Sequence, residues 1–231
     1  EIAACPPPVG WVDGVQPSVP ASEWLRDAGI PMAKVTLARN ADEAVAHWRA
    51  AGTAVAMKIE SPDITHKTEV GGVLLKLNDE AAVRAGYATL MANAARAQPQ
   101  ARLSGVLVQG MAQGQLELVV GVLRDPVFGM VVMVGLGGIL VEVLKDVVFR
   151  RAPFDVDEGE QMLRELRMGA LLDGVRGQPA VDRRAIARML ADLSRWAQAS
   201  REVLAELDLN PVLASPQGLV AVDCVMVLQT Q

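Results

Sequence analysis

The sequence predicts a mixed α+β (α/β) protein built from two lobes. Strand-like and helix-like segments alternate in the first half, strand-like segments then follow one another, and the character changes near residue 103. The 231 residues are 51% apolar and 21% charged, which provides for a real core and is too apolar for a disordered chain. Length alone allows one or two domains.

The first lobe is expected over residues 21–103, after a linker or tail at 1–20 that contains Pro-rich stretches and no sustained period. It should begin with a short helix at 23–28, and Gly29 follows as a helix-ending residue. The further elements expected are strands at 34–38, 54–59 and 73–77 and helices at 42–51 and about 79–97.

The second lobe is expected over residues 104–231. Three strand-like segments separated by short turns, at 105–111, 115–123 and 130–135, predict an antiparallel meander. The elements expected after them are a strand at 147–152, helices at 157–167 and 182–206, and a closing hairpin of 207–214 and 219–228 around the turn 215–218.

Composition excludes several classes of protein. A net charge of −5 argues against nucleic acid as a partner. The longest uncharged stretch, 126–141, has 16 residues, fewer than the ~20 that a membrane helix needs. No signal segment opens the chain, and the cysteines Cys5 and Cys224 lack metal-ligand spacing. A cytoplasmic protein without membrane contact is expected.

The closing hairpin predicts a metal site. If its turn is centred between Pro216 and Gln217, residues whose numbers sum to 433 lie opposite each other, and Asn210 and Asp223 satisfy that sum. Period two places Leu207, Leu209 and Leu213 on one face, opposite Val220, Val222 and Cys224, and leaves Glu206, Asp208, Asn210 and Asp223 on the other. Oxygen ligands on two strands suit Mg²⁺; the alternative is a solvated polar face.

A second candidate site is the segment 58–73, KIESPDITHKTEVGGV. Lys58 ends an apolar strand on the parity opposite to its core positions, and the next loop combines His66, Lys67 and Thr68 with Gly71 and Gly72. Glycines let backbone N–H groups approach anionic oxygen, and lysines add charge. The alternative is a polar surface turn, since neither a Walker A nor a Rossmann glycine pattern is present.

Four stretches carry a family resemblance: 58–73, 106–138, 141–153 and 206–226, in this order. Together they resemble the ATP-grasp domain of nucleoside-diphosphate-forming acyl-CoA synthetases, as in the β part of ADP-forming acetyl-CoA synthetase. The resemblance runs from about residue 20 to 228 and implies an ATP-grasp fold with nucleotide between two α+β lobes. It implies ATP or ADP and Mg²⁺ as cofactors.

The resemblance implies the reaction acyl-CoA + ADP + phosphate ⇌ carboxylic acid + CoA + ATP, of which this chain would carry the nucleotide part. CoA-binding and phosphohistidine domains are expected elsewhere in the polypeptide or in a partner subunit. The alternative is a non-catalytic nucleotide-binding regulatory module of a larger fusion, such as a protein acetyltransferase. The acyl group, the choice of ADP or GDP and the oligomeric state stay open.

Residue roles follow from the resemblance alone. Lys58 and Arg150 correspond to phosphate-contacting residues of the small and large lobes, and Glu117 to the acid that binds the ribose hydroxyls. Asn210 and Asp223 correspond to the metal ligands, in agreement with the hairpin argument. The other nucleotide-binding positions are the phosphate-covering loop (Lys67, Thr68, Gly71, Gly72) and the hinge that reads adenine (Gln109, Gly110, Met111). Glu142 and Asp146 are expected beside the phosphates.

His66 corresponds to a position implicated in this family as a second phosphohistidine, which passes the phosphoryl group between nucleotide and a partner domain. A neutral imidazole nitrogen is a good nucleophile near neutral pH. The alternative is that His66 only hydrogen-bonds phosphate or orders its loop. His47, the other histidine, lies in a helical segment and is expected to be structural.

Overall fold

The computed structural model describes residues 7, 10–138, 145–174 and 177–229. Two compact units divide the chain. The first, which we call the four-stranded unit, comprises 17–22 and 33–111, and the second, the seven-stranded unit, comprises 1–16, 23–32 and 112–231. Helix α1 (Ser18–Asp27) contributes residues to both.

The four-stranded unit is an antiparallel sheet with two helices. Its strands are β2 (Val35–Ala38), β3 (Val55–Glu60), β4 (Val73–Leu77) and β5 (Gly105–Gly110), in the spatial order β2-β5-β3-β4. Helix α2 (Ala41–Ala51) begins after Asn40, whose side chain accepts the Glu43 N–H, and ends at Gly52 with φ of 65°. Helix α3 (Glu80–Ala97) begins after Asp79, whose side chain accepts the Ala82 N–H.

The seven-stranded unit is a second antiparallel sheet with the order β1-β11-β9-β6-β7-β8, and β10 pairs with β9. The strands are β1 (Gly14–Val15), β6 (Leu116–Asp125), β7 (Gly129–Leu136), β8 (Val147–Arg151), β9 (Leu204–Ser215), β10 (Gly218–Ala221) and β11 (Val225–Leu228). The helices are α4 (Val156–Glu165) and α5 (Arg183–Ala199), with a 3₁₀ turn at Gly169–Asp173.

One face of the larger sheet forms the core of its unit. Met130, Val132, Val134 and Leu136 of β7 are all buried, and helix α5 contacts β7. The odd-numbered residues Val131 and Met133 point the other way and are only partly buried. The sheet therefore has one helix-covered face and one more open face.

Most predicted elements are present within a few residues, but the predicted meander is wrong. Strand β5 pairs with β2 and β3 in the smaller sheet, and only β6 and β7 form a hairpin in the larger one. The reason is packing, because Val106 and Val108 of β5 belong to the core of the four-stranded unit. The change between units thus falls at 111, after β5, rather than near 103.

Two further differences concern the last third of the chain. Helix α5 ends at Ala199, well before the expected residue 206, and β9 already begins at Leu204. The last predicted strand is two strands, β10 and β11, separated by residues 222–224. Among the described helices, none combines the length and apolar character required to cross a bilayer.

Candidate functional site

Lys58 lies in the middle of the smaller sheet. It occupies β3 opposite Val73 of β4 and Leu107 of β5, and only 7% of its surface is exposed. Lysine is seldom buried to this degree in proteins. The sequence predicts that Lys58 leaves the core face of its strand. A charged side chain at so buried a position is uncommon, which favours a specific role for Lys58.

The loop at 66–72 is held against the end of β3 by backbone hydrogen bonds. The Gly72 N–H donates to the Lys67 carbonyl at 2.8 Å, and the Ile59 N–H donates to the Gly72 carbonyl at 2.8 Å. A Cβ at Gly72 would lie 2.6 Å from Ile59 Cγ2 and 2.7 Å from the Lys67 carbonyl oxygen, so the approach requires glycine. The loop and Lys58 are therefore neighbours.

The side chains of this loop differ in exposure. Lys67 is only 6% exposed, whereas His66 and Thr68 are exposed to solvent. Gly71 has φ of 63° and its carbonyl accepts the Asn93 side-chain amide of α3 at 3.0 Å. An accessible imidazole thus lies on a loop whose last residues are fastened to β3 and α3.

The predicted hinge residues end the smaller sheet. Gln109 is buried opposite Ala56, Gly110 lies opposite Val55, and the Met111 N–H donates to the Ala54 carbonyl at 2.9 Å. The backbone here is held by the β3–β5 ladder, so its position is fixed by strand pairing.

The predicted hairpin register is confirmed on both sides of the predicted metal ligands. Gly218 pairs with Ser215 and Ala221 with Val212, and further along Val225 pairs with Asp208. Each pair sums to 433. Asn210 of β9 and Asp223, which lies between β10 and β11, fall in the gap between the two sets of pairs. Their numbers also sum to 433, so the same register would place them opposite each other.

The predicted faces of β9 are wrong after Asn210. Leu207 and Leu209 are buried as expected, but then Val212 and Ala214 are buried rather than Leu213. The cause is a β-bulge. Leu118 of β6 pairs with Val212 and Val120 pairs with Leu209, so β9 has one more residue than β6 in this interval. The alternation of buried and more exposed side chains along β9 is therefore shifted by one residue after positions 210 and 211.

This bulge contains Asn210, which is exposed, while Asp223 is partly buried and its Oδ1 accepts the Cys224 N–H at 3.0 Å. No group of three or more His, Cys, Asp or Glu that could hold a metal occurs within the described part of the chain. Mg²⁺ commonly takes one or two protein carboxylates with waters and substrate phosphates. The amide and carboxylate oxygens fit an ion shared with a nucleotide.

Glu117 is an exposed residue of β6, opposite Leu213. Its carbonyl accepts the Gly137 N–H at 2.7 Å, and a Cβ at Gly137 would lie 3.0 Å from the Glu117 backbone. The glycine segment after β7 therefore packs directly on Glu117. Glu142, which was expected beside the phosphates, lies outside the described residues.

Arg150 of β8 is engaged by two carboxylates of α4. Its Nε donates to Glu158 Oε1 and its Nη2 to Glu165 Oε1, both at 2.6 Å. These hydrogen bonds, that of Glu165 above all, raise the pKa of Arg150, and the pKa of Glu165 is lowered in turn. Three of the five N–H donors of the guanidinium are used by Glu158, Glu165 and the Phe149 carbonyl, so a phosphate contact by Arg150 would have to use the other two or replace one of these bonds.

Other polar groups take structural positions. Asp146, expected beside the phosphates, is buried and accepts the backbone N–H groups of Arg167 and Met168 at 2.9 and 2.8 Å. His47 Nε2 lies 3.2 Å from the Leu37 carbonyl oxygen, in agreement with its expected structural role. Cys224 is buried as well.

Sequence reasoning missed the polar contacts around the strand end at 60–63. Glu60 is buried and accepts the Ser18 N–H at 2.6 Å and the Ser18 hydroxyl at 2.8 Å. Asp63 binds the Arg102 guanidinium at 2.7 and 3.0 Å, which lowers the Asp63 pKa to about 2. The sequence 60–63, ESPD, contains both acidic residues, but their partners Ser18 and Arg102 are distant in sequence.

The chain is similar to proteins of a known family. The ATP-grasp domain family matches residues 14–228. The β subunit of acetate–CoA ligase (ADP-forming) I from Pyrococcus furiosus is 40% identical over 208 residues, which cover 90% of this chain and 89% of that subunit. Acetate–CoA ligase (ADP-forming) I from Archaeoglobus fulgidus is 44% identical over 204 residues, which cover 88% of this chain but 30% of that protein.

Solved structures of related proteins have the same fold. The dinucleotide-forming acetyl-coenzyme A synthetase 1 of Ca. Korarchaeum cryptofilum, in complex with coenzyme A, Ca-AMPCP and HgCl⁺, superposes with a TM-score of 0.90 at 40% identity, covering 94% of both chains. A Se-Met crystal of that protein with coenzyme A and Mg-AMPPCP gives a TM-score of 0.79 at 38% identity, covering 93% of both chains.

Proposed function

Because the chain belongs to the ATP-grasp family, as the module found in ADP-forming acyl-CoA ligases, we propose that it binds ATP or ADP with Mg²⁺ and carries the nucleotide half-reaction of such a ligase. The observation that carries the proposal is the register of the closing hairpin, which is the same on both sides of Asn210 and Asp223 and so supports them as oxygen ligands. The overall reaction is acyl-CoA + ADP + phosphate ⇌ carboxylic acid + CoA + ATP.

Each unit contributes its own groups in this proposal. In the four-stranded unit, Lys58, Lys67 and the loop residues Thr68, Gly71 and Gly72 bind phosphate oxygens, and Gln109 to Met111 offer backbone groups to the base. In the seven-stranded unit, Glu117 binds the ribose hydroxyls and Arg150 adds positive charge. Asn210 and Asp223 hold Mg²⁺, which when bound neutralises charge on the phosphates.

The proposed nucleophile is His66, which is exposed on a loop fastened to β3 and α3. The lone pair of a neutral imidazole nitrogen forms an N–P bond to the γ-phosphorus. The bond from that phosphorus to the β–γ bridging oxygen breaks, and its electron pair leaves with ADP. The relative crystallised with Mg-AMPPCP has a phosphohistidine segment pointing towards its nucleotide-binding site, which supports transfer from His66 to such a segment.

The proposal requires further domains. The chain spans 89% of a separate β subunit but 30% of a single-chain relative. CoA-binding and phosphohistidine-bearing domains in the same polypeptide or in a partner subunit would complete the reaction. A cytoplasmic location, where thiols stay reduced, suits the buried cysteine Cys224.

Histidine-type labelling tests the proposal. The chain is incubated with γ-³²P-ATP and Mg²⁺, and acid-labile, alkali-stable label is measured for wild type, His66→Ala and the matched control His47→Ala. We expect label on wild type and on the control, and a loss of at least ~100-fold for His66→Ala, because no other group replaces the nucleophile. Equal labelling of His66→Ala and wild type would refute the role of His66.

The alternative of a regulatory nucleotide-binding module is not favoured, because the relatives reported above are ligases. Nucleotide binding without any label, in the presence of a competent phosphohistidine domain, would support that alternative.

A further inference from the structure

The seven-stranded unit exposes an apolar patch on its more open sheet face. Leu123, Val127, Phe128 and Phe149 are 52%, 80%, 60% and 57% exposed, and together they make up four of the seven large apolar side chains exposed among the described residues. Two of the three phenylalanines of the chain are in this group. A clustered apolar surface of this kind commonly marks an interaction site.

Strand pairing shows that the patch is continuous. Phe149 of β8 lies opposite Met133 of β7, and Met133 lies opposite Gly121 of β6. In the next row, Leu123 lies opposite Val131. Directly opposed residues share a face, so these side chains form one surface across three strands, which we call the β6–β8 patch.

The tip of the patch is rigid. Asp125 Oδ1 accepts the backbone N–H groups of Val127 and Phe128, both at 2.8 Å, and thereby closes the turn between β6 and β7. Val127 and Phe128 are thus presented to solvent by an ordered turn. An apolar surface that is already ordered loses little entropy when a partner covers it.

Charged residues border the apolar centre. Arg151 lies opposite Val131 on one side, and Glu206 lies opposite Leu123 on the other. The patch lines a groove of about 550 Å³ that reaches Asp208. An apolar centre with a charged rim is the usual composition of a protein–protein interface.

The same sheet face leads to the predicted metal ligands. Glu206 and Asp208 alternate along β9 before its bulge, so both point to the face that carries the patch, and Asn210 follows two residues after Asp208, in the bulge. A partner seated on the patch would therefore lie about two residues along β9, roughly 7 Å, from Asn210.

We propose that the β6–β8 patch is the docking surface for the phosphohistidine-bearing domain of the ligase. This inference rests on the proposed function, because only that reaction requires the domain to approach the metal ligands. The single-chain relative, of which this chain spans 30%, provides ample further polypeptide for such a domain. The exposed carboxylate of Glu206 at the rim favours a docking face with a basic residue there.

Site-specific cross-linking in the complete ligase tests the surface. Phe149 is replaced by p-benzoylphenylalanine, and the matched control carries the same group at Leu75 of β4, which is also 57% exposed but lies in the other unit. After irradiation, cross-linked peptides are identified by mass spectrometry. We expect Phe149 adducts in the phosphohistidine-bearing domain. Adducts only with a second copy of this chain, or none above the Leu75 control, would overturn the proposal.

A paired activity measurement separates this proposal from the proposed function. The double variant Leu123→Thr/Phe149→Thr removes apolar surface and keeps residues that suit strands. We expect acyl-CoA formation by the complete ligase to fall at least tenfold while Mg-ATP affinity stays within twofold, and Leu75→Thr to change neither. Unchanged acyl-CoA formation by the double variant would refute docking at the patch, whereas absence of Mg-ATP binding by wild type would refute the proposed function itself.

Discussion

The two regions that carry the predicted chemistry, the loop at 61–72 and the hairpin of β9 to β11, are built in different ways. In the hairpin, the backbone ladder sets the position of each residue, and one bulge adjusts it. In the loop, position depends on turns, on the close approach of Gly72 to Ile59 and on side-chain contacts with distant segments. The backbone of the hairpin is therefore held by a regular ladder of hydrogen bonds, and that of the loop by separate contacts with different segments.

This difference predicts how each region responds to substitution. In the hairpin, a single ligand can be changed without altering the ladder, so function should be lost and stability kept. In the loop, most substitutions remove a contact that also holds the backbone, so function and stability should change together. The predictions that follow test this contrast, from the largest effect to the smallest.

Asp223→Asn should give the largest functional loss with little loss of stability. The substitution keeps the shape of the side chain and removes the charge that Mg²⁺ requires. Substitution of residues that only contact a metal ligand often lowers metal affinity or activity 10–100-fold. Loss of a ligand itself should therefore weaken Mg²⁺-dependent ATP binding by ~100-fold or more. Calorimetric titration and thermal unfolding measure the two quantities. Glu160→Gln is the control, because Glu160 is a partly exposed residue of α4 whose ion pair with Arg164 contributes little, and it should change neither quantity appreciably. A large stability loss for Asp223→Asn would contradict the contrast.

Gly72→Ala should lower both stability and nucleotide affinity. The new Cβ would lie 2.6 Å from Ile59 Cγ2 and 2.7 Å from a backbone oxygen, which forces the loop to move. Overpacking of this kind costs about 1–3 kcal/mol. Denaturant unfolding measures this cost. Gly86→Ala is the control within the same unit, because its Cβ would meet flexible leucine side chains and alanine favours a helix. A cost no larger than that of the control would show that the loop does not depend on this approach.

Ser18→Ala should lower stability by about 1 kcal/mol without affecting nucleotide affinity, because its partner Glu60 belongs to β3 and precedes the loop. The hydroxyl donates to the buried Glu60 carboxylate at 2.8 Å, and its removal leaves one hydrogen bond from the Ser18 N–H. Chemical unfolding of wild type and variant provides the value, and Ser104→Ala serves as a control because only the backbone N–H of Ser104 contacts Glu60. Equal effects of the two substitutions would contradict this assignment.

The smallest effect concerns pH. The Arg102 guanidinium holds the Asp63 pKa at about 2, below its ordinary value of 3.8. A carboxyl whose pKa is lower in the folded state stabilises the fold above its ordinary pKa and loses that contribution as pH falls through the folded value. Wild type should therefore lose stability between about pH 4 and pH 2 in excess of Asp63→Asn.

An NMR titration checks this directly. The Asp63 carboxyl should titrate near pH 2 in wild type and return towards 3.8 in Arg102→Ala. An unchanged midpoint in that variant would mean that another group lowers the pKa.

The same contrast explains which features could be predicted from sequence. The hairpin register followed from one turn, because each pair in a ladder is fixed by the preceding pair. The bulge at Asn210 could not be predicted in this way, since it depends on β6, which is distant in sequence. For the same reason β5 was assigned to the wrong sheet, because its partners β2 and β3 are not its neighbours along the chain.

Loop contacts were less predictable. Segment 58–73 identified the residues that come together, including Lys58 and Gly72, but not the partners that hold them. Asn93, Arg102 and Ser18 bind the region from positions far along the chain, and none carries a local pattern that points to it. The two carboxylates on Arg150 were also missed, because ion pairs between a strand and a later helix have no fixed spacing.

We propose that this chain binds Mg-nucleotide through Lys58, next to the loop, and through Asp223 of the hairpin. Calorimetric titration of ATP into wild type, Lys58→Met and Asp223→Asn, each with Mg²⁺ and with a chelator, tests it most directly. We predict that wild type binds ATP with Mg²⁺ and at least ~100-fold more weakly with the chelator. We also predict that Lys58→Met weakens binding in both conditions and that Asp223→Asn removes only the Mg²⁺-dependent gain. Nucleotide affinity that is the same for all three proteins in both conditions would contradict the account.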